Sequence, residues 1–177
     1  MHTLLVDNRD SFTRNLEHLL VRATGEVPVI VPYPRFSAGM SREFGLTVIS
    51  PGPGHPRDYP GYGPLLGSGM PVLGICLGLQ IANLHFGGEV ERLPGCVHGR
   101  ASRFTLFGRE VAAARYHSLF LSRVAPDMEV LARFQGVPMA ARHKSLPVLG
   151  LQFHPESFMT PQGEDILRDC LRLLLPG

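Results

Sequence analysis

The amino-acid sequence predicts an α/β protein built on a central, mostly parallel β-sheet with helices on both faces. Three observations predict it: short apolar runs recur along the first half of the chain, helical patterns separate them, and glycine or proline clusters mark the turns. In such a sheet the segments that follow neighbouring strands meet at one edge. We therefore expect functional side chains at the carboxyl ends of the strands.

Each element follows from the spacing of its apolar residues. Between Phe12 and Ala23 they recur at spacings of three and four, which is typical of one face of a helix. Asp10 or Ser11 is the expected N-cap of this helix, and Gly25 its stop. The remaining expected helices cover residues 79–86 and a closing amphipathic segment between 166 and 174. Strands of the main sheet are expected at 3–7, 27–31, 46–49, 71–75 and 148–153.

The second half of the chain adds shorter strand-like runs. They lie at 103–107, 110–115, 130–134 and 137–142, and they predict hairpins or a small added mixed or antiparallel sheet.

Bulk composition excludes several classes of function. The 177 residues are 44% hydrophobic and 18% charged, which suits one compact domain. A net charge of +2 argues against nucleic-acid or anionic-membrane binding, and no membrane span or leader is expected, so the expected location is the cytoplasm. Three widely spaced cysteines and scattered histidines predict neither a disulfide framework nor a metal site, and no cofactor is expected.

Cys76 stands between two glycines at an expected strand-to-helix junction. The segment 74–78 reads Gly-Ile-Cys-Leu-Gly, the cysteine counterpart of a nucleophile elbow. Small residues two positions before and after the thiol relieve crowding at a sharp turn. The following helix directs amides and its positive dipole end at the sulfur, which favours the thiolate. The alternative is a buried structural cysteine.

His154 and Glu156 directly follow the expected strand 148–153, at the same sheet edge as Cys76. Residues two apart in an extended chain point the same way, so both side chains can face the thiol. These three residues form a candidate catalytic triad. The alternative is a strand-end histidine held by local hydrogen bonds and a solvent-facing glutamate.

Two further polar segments follow strands. Residues 50–56 read Ser-Pro-Gly-Pro-Gly-His-Pro, a rigid loop that can present backbone amides to an oxyanion, or an ordinary turn. Residues 115–119 read Arg-Tyr-His-Ser-Leu, where His117 and Ser118 can serve only to cap or turn the chain.

Taken together, the motifs resemble the class I, triad-type glutamine amidotransferases nearly end to end. The motifs are Ser50-Pro-Gly-Pro-Gly54, Gly74-Ile-Cys-Leu-Gly78 with Gln80, Tyr116-His-Ser-Leu119 and Gln152-Phe-His-Pro-Glu-Ser157. The opening segment 7–12 and the His-Ser-Leu element look most like the glutaminase subunits of anthranilate synthase and aminodeoxychorismate synthase. The resemblance implies a flavodoxin-like three-layer sandwich and a single glutamine amidotransferase domain over residues 1–177.

The resemblance also implies roles for the triad. Cys76 attacks the side-chain carboxamide of L-glutamine, His154 moves the proton to the departing ammonia, and Glu156 orients the imidazole. A glutamyl thioester forms and water hydrolyses it. The backbone amides of Leu77 and Gly52 are the expected oxyanion hole. Family positions that hold the substrate match Gly52, Pro53, Gly54, Gln80, Ser118 and Leu119.

Two positions depart from the family pattern. Leu79 stands where many relatives carry His, and Arg9 where many carry Tyr. Neither belongs to the triad, so we expect effects on packing or on a partner surface rather than on the chemistry.

The resemblance further implies a partner, a chorismate-binding synthase subunit (component I) that receives the ammonia for tryptophan or folate biosynthesis. Other interpretations stay open. They are an amidotransferase of histidine or purine nucleotide synthesis, which the His-Ser-Leu element fits poorly, a hydrolase of γ-glutamyl amides, and a noncatalytic module, which the complete triad disfavours.

Overall fold

The computed structural model of the protein describes residues 2–95 and 99–175. Eleven strands lie in this part of the chain: β1 (Thr3–Asp7), β2 (Val29–Pro32), β3 (Leu46–Ile49), β4 (Val72–Ile75), β5 (Glu89–Arg92), β6 (Arg100–Leu106), β7 (Arg109–Arg115), β8 (Leu119–Arg123), β9 (Met128–Phe134), β10 (Val137–His143) and β11 (Val148–Leu151). Its α-helices are α1 (Thr13–Thr24), α2 (Gly63–Leu66), α3 (Leu77–His85) and α4 (Gly163–Leu174).

Seven strands form the central sheet in the order β2-β1-β3-β4-β11-β10-β9. The first five pair in parallel, and β10 and β9 continue the sheet as an antiparallel extension. Strands β5 and β8 form one small antiparallel sheet, and β6 and β7 form another. The predicted mostly parallel sheet with smaller antiparallel additions is confirmed.

Alternate residues of the central strands pack into two cores on opposite faces of the sheet. In β1, Leu5 joins the core that contains the apolar faces of α1 and α4, while Leu4 and Val6 join the core under α2 and α3. Parallel strands covered by helices on both sides are apolar at most positions, and this explains the nearly continuous apolar runs in the sequence. Cys170 lies fully buried on the core face of α4, where burial raises the pKa of its thiol. Cys96 lies outside the described residues.

The helix boundaries differ from the sequence prediction at their starts. Helix α1 begins at Thr13 after Phe12, with no side-chain cap, so the predicted capping by Asp10 or Ser11 is wrong. The carboxylate of Asp10 instead accepts a hydrogen bond from the Phe12 amide at 2.7 Å, which folds the chain before the helix starts. The predicted end of α1 is confirmed, since Gly25 follows its last turn in a left-handed conformation with φ 78°.

Strand lengths were also partly wrong. Strand β11 ends at Leu151 rather than at residue 153, because the chain turns immediately afterwards. The sequence prediction missed β5 and β8, which pair with each other in a separate two-stranded sheet. Strand β5 reads Glu-Val-Glu-Arg and is mostly exposed, so it carries too little apolar sequence to signal a strand.

Among the residues that the structure describes, no helix combines the length and the apolar content that crossing a lipid bilayer requires.

The turn between β4 and α3 is a close-packed backbone elbow. Cys76 sits at its tip with φ 51° and ψ −97°, a conformation that non-glycine residues rarely adopt. A Cβ atom on Gly74 would lie 2.4 Å from the carbonyl carbon of Gly78, and one on Gly78 would lie 2.8 Å from the Ile49 carbonyl oxygen. Both glycines are therefore required because the backbone passes through this space.

We expect Gly74→Ala to lower the free energy of unfolding by about 3 kcal/mol, because the added methyl group can be accommodated only if the backbone of the elbow shifts. Gly39→Ala is the matched control, since a Cβ atom there meets nothing within 4 Å and the change should stay within about 0.5 kcal/mol. Urea unfolding measures both. Equal stability of the two variants would contradict the close packing of the elbow.

Candidate active site

Three neighbouring strands bring the candidate residues to one edge of the sheet. Cys76 follows β4, which lies between β3 and β11 in parallel register. The Cys76 amide, one residue beyond the end of β4, donates a hydrogen bond at 2.6 Å to the carbonyl of Leu151, the last residue of β11. His154 lies three residues after Leu151, and its amide donates to the Ala114 carbonyl at 2.9 Å. The nucleophile candidate and the base candidate are thus fixed by backbone hydrogen bonds.

The imidazole of His154 is paired with Glu156. Its Nδ1 atom lies 2.6 Å from Glu156 Oε1, and both side chains are almost completely buried. The sequence predicted that an extended chain brings the two side chains to the same side. Instead, the Ser157 amide donates a hydrogen bond to the His154 carbonyl, so residues 154–157 form a turn. The turn folds the carboxylate back onto the ring.

Burial alone lowers the pKa of His154, but contacts with the Cys76 thiol and with the Glu156 carboxylate outweigh it and raise the pKa above its usual value. The Nε2 atom is buried and has no hydrogen bond of ordinary geometry among the described residues. The thiol of Cys76 is nevertheless close enough to raise the pKa of this ring. Catalytic hydrogen bonds are often long before substrate binds.

Two aromatic rings enclose the imidazole. The Phe12 ring centroid lies 5.4 Å from that of His154, and the Tyr116 ring meets it edge-on at 5.1 Å. The Tyr116 hydroxyl lies 3.3 Å from the Ser157 hydroxyl, which ties this wall to the turn that carries Glu156. The rings limit the access of water to the imidazole and its carboxylate.

The loop after β3 lies over the start of α3. The hydroxyl of Ser50 and its carbonyl accept hydrogen bonds from the amide and the side chain of Asn8, at 2.9 and 2.8 Å. A Cβ atom on Gly52 would lie 2.6 Å from Asn8 Cβ and 2.8 Å from Leu77 Cδ2. Gly52 and Leu77, the two expected oxyanion-hole residues, are thus brought together.

The next two residues of this loop, Pro53 and Gly54, contact Tyr59 and Asp58 rather than the triad. The Pro53 carbonyl accepts a hydrogen bond from the Tyr59 hydroxyl at 2.8 Å. Gly54 has φ 80°, and the Asp58 carboxylate would lie 2.8 Å from a Cβ atom there. The loop is therefore rigid, although its Pro53 and Gly54 contacts lead away from Cys76.

Gln80 and the segment 117–119 are joined by a shared carbonyl. Gln80 is 3% exposed, and its Nε2 atom donates to the Leu119 carbonyl at 3.1 Å. The same carbonyl lies 2.8 Å from Nδ1 of His117, a ring that also accepts a hydrogen bond from Arg115 Nε at 3.1 Å. Ser118 is exposed, and its carbonyl accepts a hydrogen bond from the Leu93 amide.

The sequence reasoning gave no role to three residues that line this site. Gln152 Nε2 lies 3.5 Å from the Cys76 sulfur, and Phe12 and Tyr116 enclose His154. Gln152 precedes His154 by two positions, which is the one signal in the sequence that could have placed it on the same side. In the described part of the chain, no group of three or more potential ligands could hold a metal ion.

Comparison with known proteins gives the family. The family model described as glutamine amidotransferase class-I matches residues 4–174. Aminodeoxychorismate synthase of Streptomyces griseus is 41% identical over 94% of this chain, but the match spans only 25% of that protein. Anthranilate synthase component 2 of Leptospira biflexa is 38% identical, and the match covers 97% of this chain and 99% of that protein.

Solved structures share the fold. A Thermoplasma acidophilum protein assigned to a GMP synthase superposes with a TM-score of 0.86 at 23% identity, covering 99% of this chain and 95% of the other. A glutamine amidotransferase of Thermotoga maritima gives 0.77 at 15% identity, covering 99% and 96%. The resemblance read from the motifs is confirmed, and the chain belongs to the class I glutamine amidotransferase family.

Proposed function

We propose that the protein hydrolyses L-glutamine through a cysteine thioester and supplies the ammonia to a chorismate-aminating synthase subunit. The observation that carries the proposal is the buried arrangement of Cys76, His154 and Glu156, in which the imidazole is paired with the carboxylate and lies close enough to the thiol for Cys76 to raise its pKa. We propose further that it acts as a single domain over residues 1–177, in the cytoplasm, without a metal ion or an organic cofactor.

Cys76 is the nucleophile in this proposal. Its thiolate attacks the carboxamide carbon of glutamine, and the resulting oxyanion meets the backbone amides of Leu77 and Gly52. The Leu77 amide suits this role because the first amides of a helix lack acceptors within the helix. The positive φ of Cys76 is the strained backbone typical of a nucleophile elbow, and its sulfur lies 3.5 Å from Gln152 Nε2.

His154 carries the proton. Amide nitrogen leaves only after it is protonated, so the imidazolium donates a proton as the carbon–nitrogen bond breaks and ammonia departs. The neutral imidazole then takes a proton from water, which attacks the thioester and releases glutamate and the Cys76 thiolate. Glu156 keeps the ring oriented and stabilises its charged form.

We assign glutamine binding to Gly52, Pro53, Gly54, Gln80, Ser118 and Leu119. Gln80 supports the assignment in a specific way. Its Nε2 atom is committed to protein acceptors, while its Oε1 atom has no hydrogen-bond partner among the described residues. That oxygen can accept from the α-ammonium group of glutamine.

A synthase partner is supported by the relatives and by the surface. In the Streptomyces griseus protein the match covers only a quarter of the length, so a domain like this one is joined there to much additional chain. The Leptospira biflexa relative is named as a component 2. Because relatives of both names match, the proposal covers an anthranilate or an aminodeoxychorismate synthase partner. Phe158, two residues after Glu156, is 89% exposed, and we assign it to the surface that meets the partner because aromatic residues are enriched in interfaces.

Cys76→Ser should abolish both glutamate release and covalent labelling by a glutamine-mimicking diazoketone, because serine lacks the thiolate nucleophile. Intact mass spectrometry measures the labelling. The unchanged protein should gain one adduct, and Cys170→Ser, which alters a fully buried core thiol, should label normally. The absence of an adduct on the unchanged protein, with or without its synthase partner, would contradict the proposal.

Glu156→Gln should lower kcat for glutamate release about a hundredfold. The substitution removes a charge that raises the pKa of His154, so this pKa falls and less imidazolium is present at neutral and alkaline pH. The alkaline limb of the kcat profile should therefore move to lower pH, measured between about pH 6 and pH 9 with the synthase partner at saturation. Glu129→Gln, in an exposed pair with Arg142, is the control. An unchanged profile for Glu156→Gln would exclude the proposed role of the carboxylate.

Phe158→Ser should weaken binding to the synthase partner about tenfold, because exposed aromatic residues are frequent anchors of protein interfaces. Titration of glutamate release against synthase concentration measures the binding. Val27→Ser is the matched control: Val27 is 71% exposed but lies at the amino edge of the sheet, away from the triad. Equal half-saturation for the two variants would place the interface elsewhere.

A further inference from the structure

Gln152 contacts the nucleophile from a fully buried position. It follows β11 directly, is 0% exposed, and its backbone amide donates to the Met139 carbonyl at 2.8 Å. Its side-chain Nε2 atom donates to the Cys76 sulfur at 3.5 Å. A buried amide in this place has no solvent to satisfy it, so its hydrogen-bond partners determine its orientation.

A chain of hydrogen bonds fixes which end of the Gln152 amide faces the sulfur. The Leu119 carbonyl can only accept, so Gln80 must present its NH₂ group to it. The same NH₂ group donates to Gln152 Oε1 at 3.2 Å. Gln152 therefore directs its own NH₂ group at Cys76, and the donor cannot rotate away without breaking the bond to Gln80.

We propose that Gln152 is a positioning residue for Cys76, held in place by Gln80, whose NH₂ group stabilises the thiolate and fixes the direction of the sulfur. A donor to sulfur favours the charged form over the neutral thiol. The role rests on the proposed function, in which Cys76 is the nucleophile. It gives a reason for the burial of two glutamines beside Cys76.

The titratable and charged groups near Cys76 belong to the triad and to the segment 115–117. His154 contacts the thiol and is paired with Glu156, and His117 and Arg115 are the next titratable groups. Gln152, in contrast, is an uncharged donor to the sulfur. A substitution there changes the stabilisation of the thiolate without removing a charge from the triad.

The test measures the rate at which iodoacetamide alkylates Cys76 as a function of pH, with peptide mass mapping to separate Cys76 from Cys96 and Cys170. This reaction needs neither glutamine nor a synthase partner. Gln152→Glu keeps the shape and the acceptor for Gln80 but replaces the donor with a carboxylate. Gln152→Met removes the donor at similar volume.

Both variants should alkylate about tenfold more slowly at neutral pH, with the midpoint of the profile moved up by about one pH unit, because the thiolate loses its donor. The shift should be larger for Gln152→Glu, where a negative charge opposes the thiolate. Gln80→Met should shift the midpoint in the same direction by a smaller amount, because Gln152 loses its anchor.

Gln162→Met is the matched control. The side chain of Gln162, the residue before α4, accepts a hydrogen bond from the Ala112 amide at 3.4 Å, so its replacement should leave the profile unchanged. Thermal unfolding of each variant separates packing from positioning. If Gln152 only packs, its variants will melt at lower temperature while the alkylation midpoint stays in place, and that result overturns the proposal. Failure of diazoketone labelling on the unchanged protein would instead count against glutamine hydrolysis and leave the alkylation result standing.

Discussion

The hydrogen bond from the Cys76 amide to the Leu151 carbonyl is the constraint on which the site depends. It extends the parallel ladder of β4 and β11 by one residue, at the point where one strand becomes an elbow and the other becomes a turn. Every later contact, of Gln152 with the sulfur and of His154 with the thiol, requires this register. A slip of one residue would turn each side chain to the opposite face of the sheet.

The elbow itself is strained, and the surrounding packing maintains it. A positive φ at a cysteine costs on the order of 1–3 kcal/mol and persists only where neighbouring structure prevents relaxation. Here Gly74 and Gly78 bring backbone against backbone, and Gly150 on β11 leaves space that the Leu79 side chain fills. Leu79, which stands where many relatives carry His, is therefore a core residue with no exposed surface and does not belong to the site.

The sequence alone predicted those parts of the fold and the site that depend on neighbouring residues. Apolar runs predicted the central strands, and the glycines around Cys76 predicted the elbow, because crowding at a turn acts on adjacent residues. The contacts that complete the site are not local. Gln80 and Gln152 lie 72 positions apart, and their contact depends on the pairing of β4 with β11, so neither residue signals it alone. The turn that joins His154 to Glu156 escaped prediction because the apolar pattern of β11 continues past its end, through Phe153.

Electrostatics within the site separate two buried histidines that the sequence treats alike. Burial and the neighbouring Arg115 lower the pKa of His117 to about 4, so this ring is neutral at physiological pH. Because the Leu119 carbonyl can only accept, Nδ1 of His117 carries the proton and Nε2 accepts from Arg115. At His154 the contacts with Cys76 and Glu156 act in the opposite direction. The two shifts therefore favour the neutral form of His117 and the charged form of His154, the ring that lies beside Cys76.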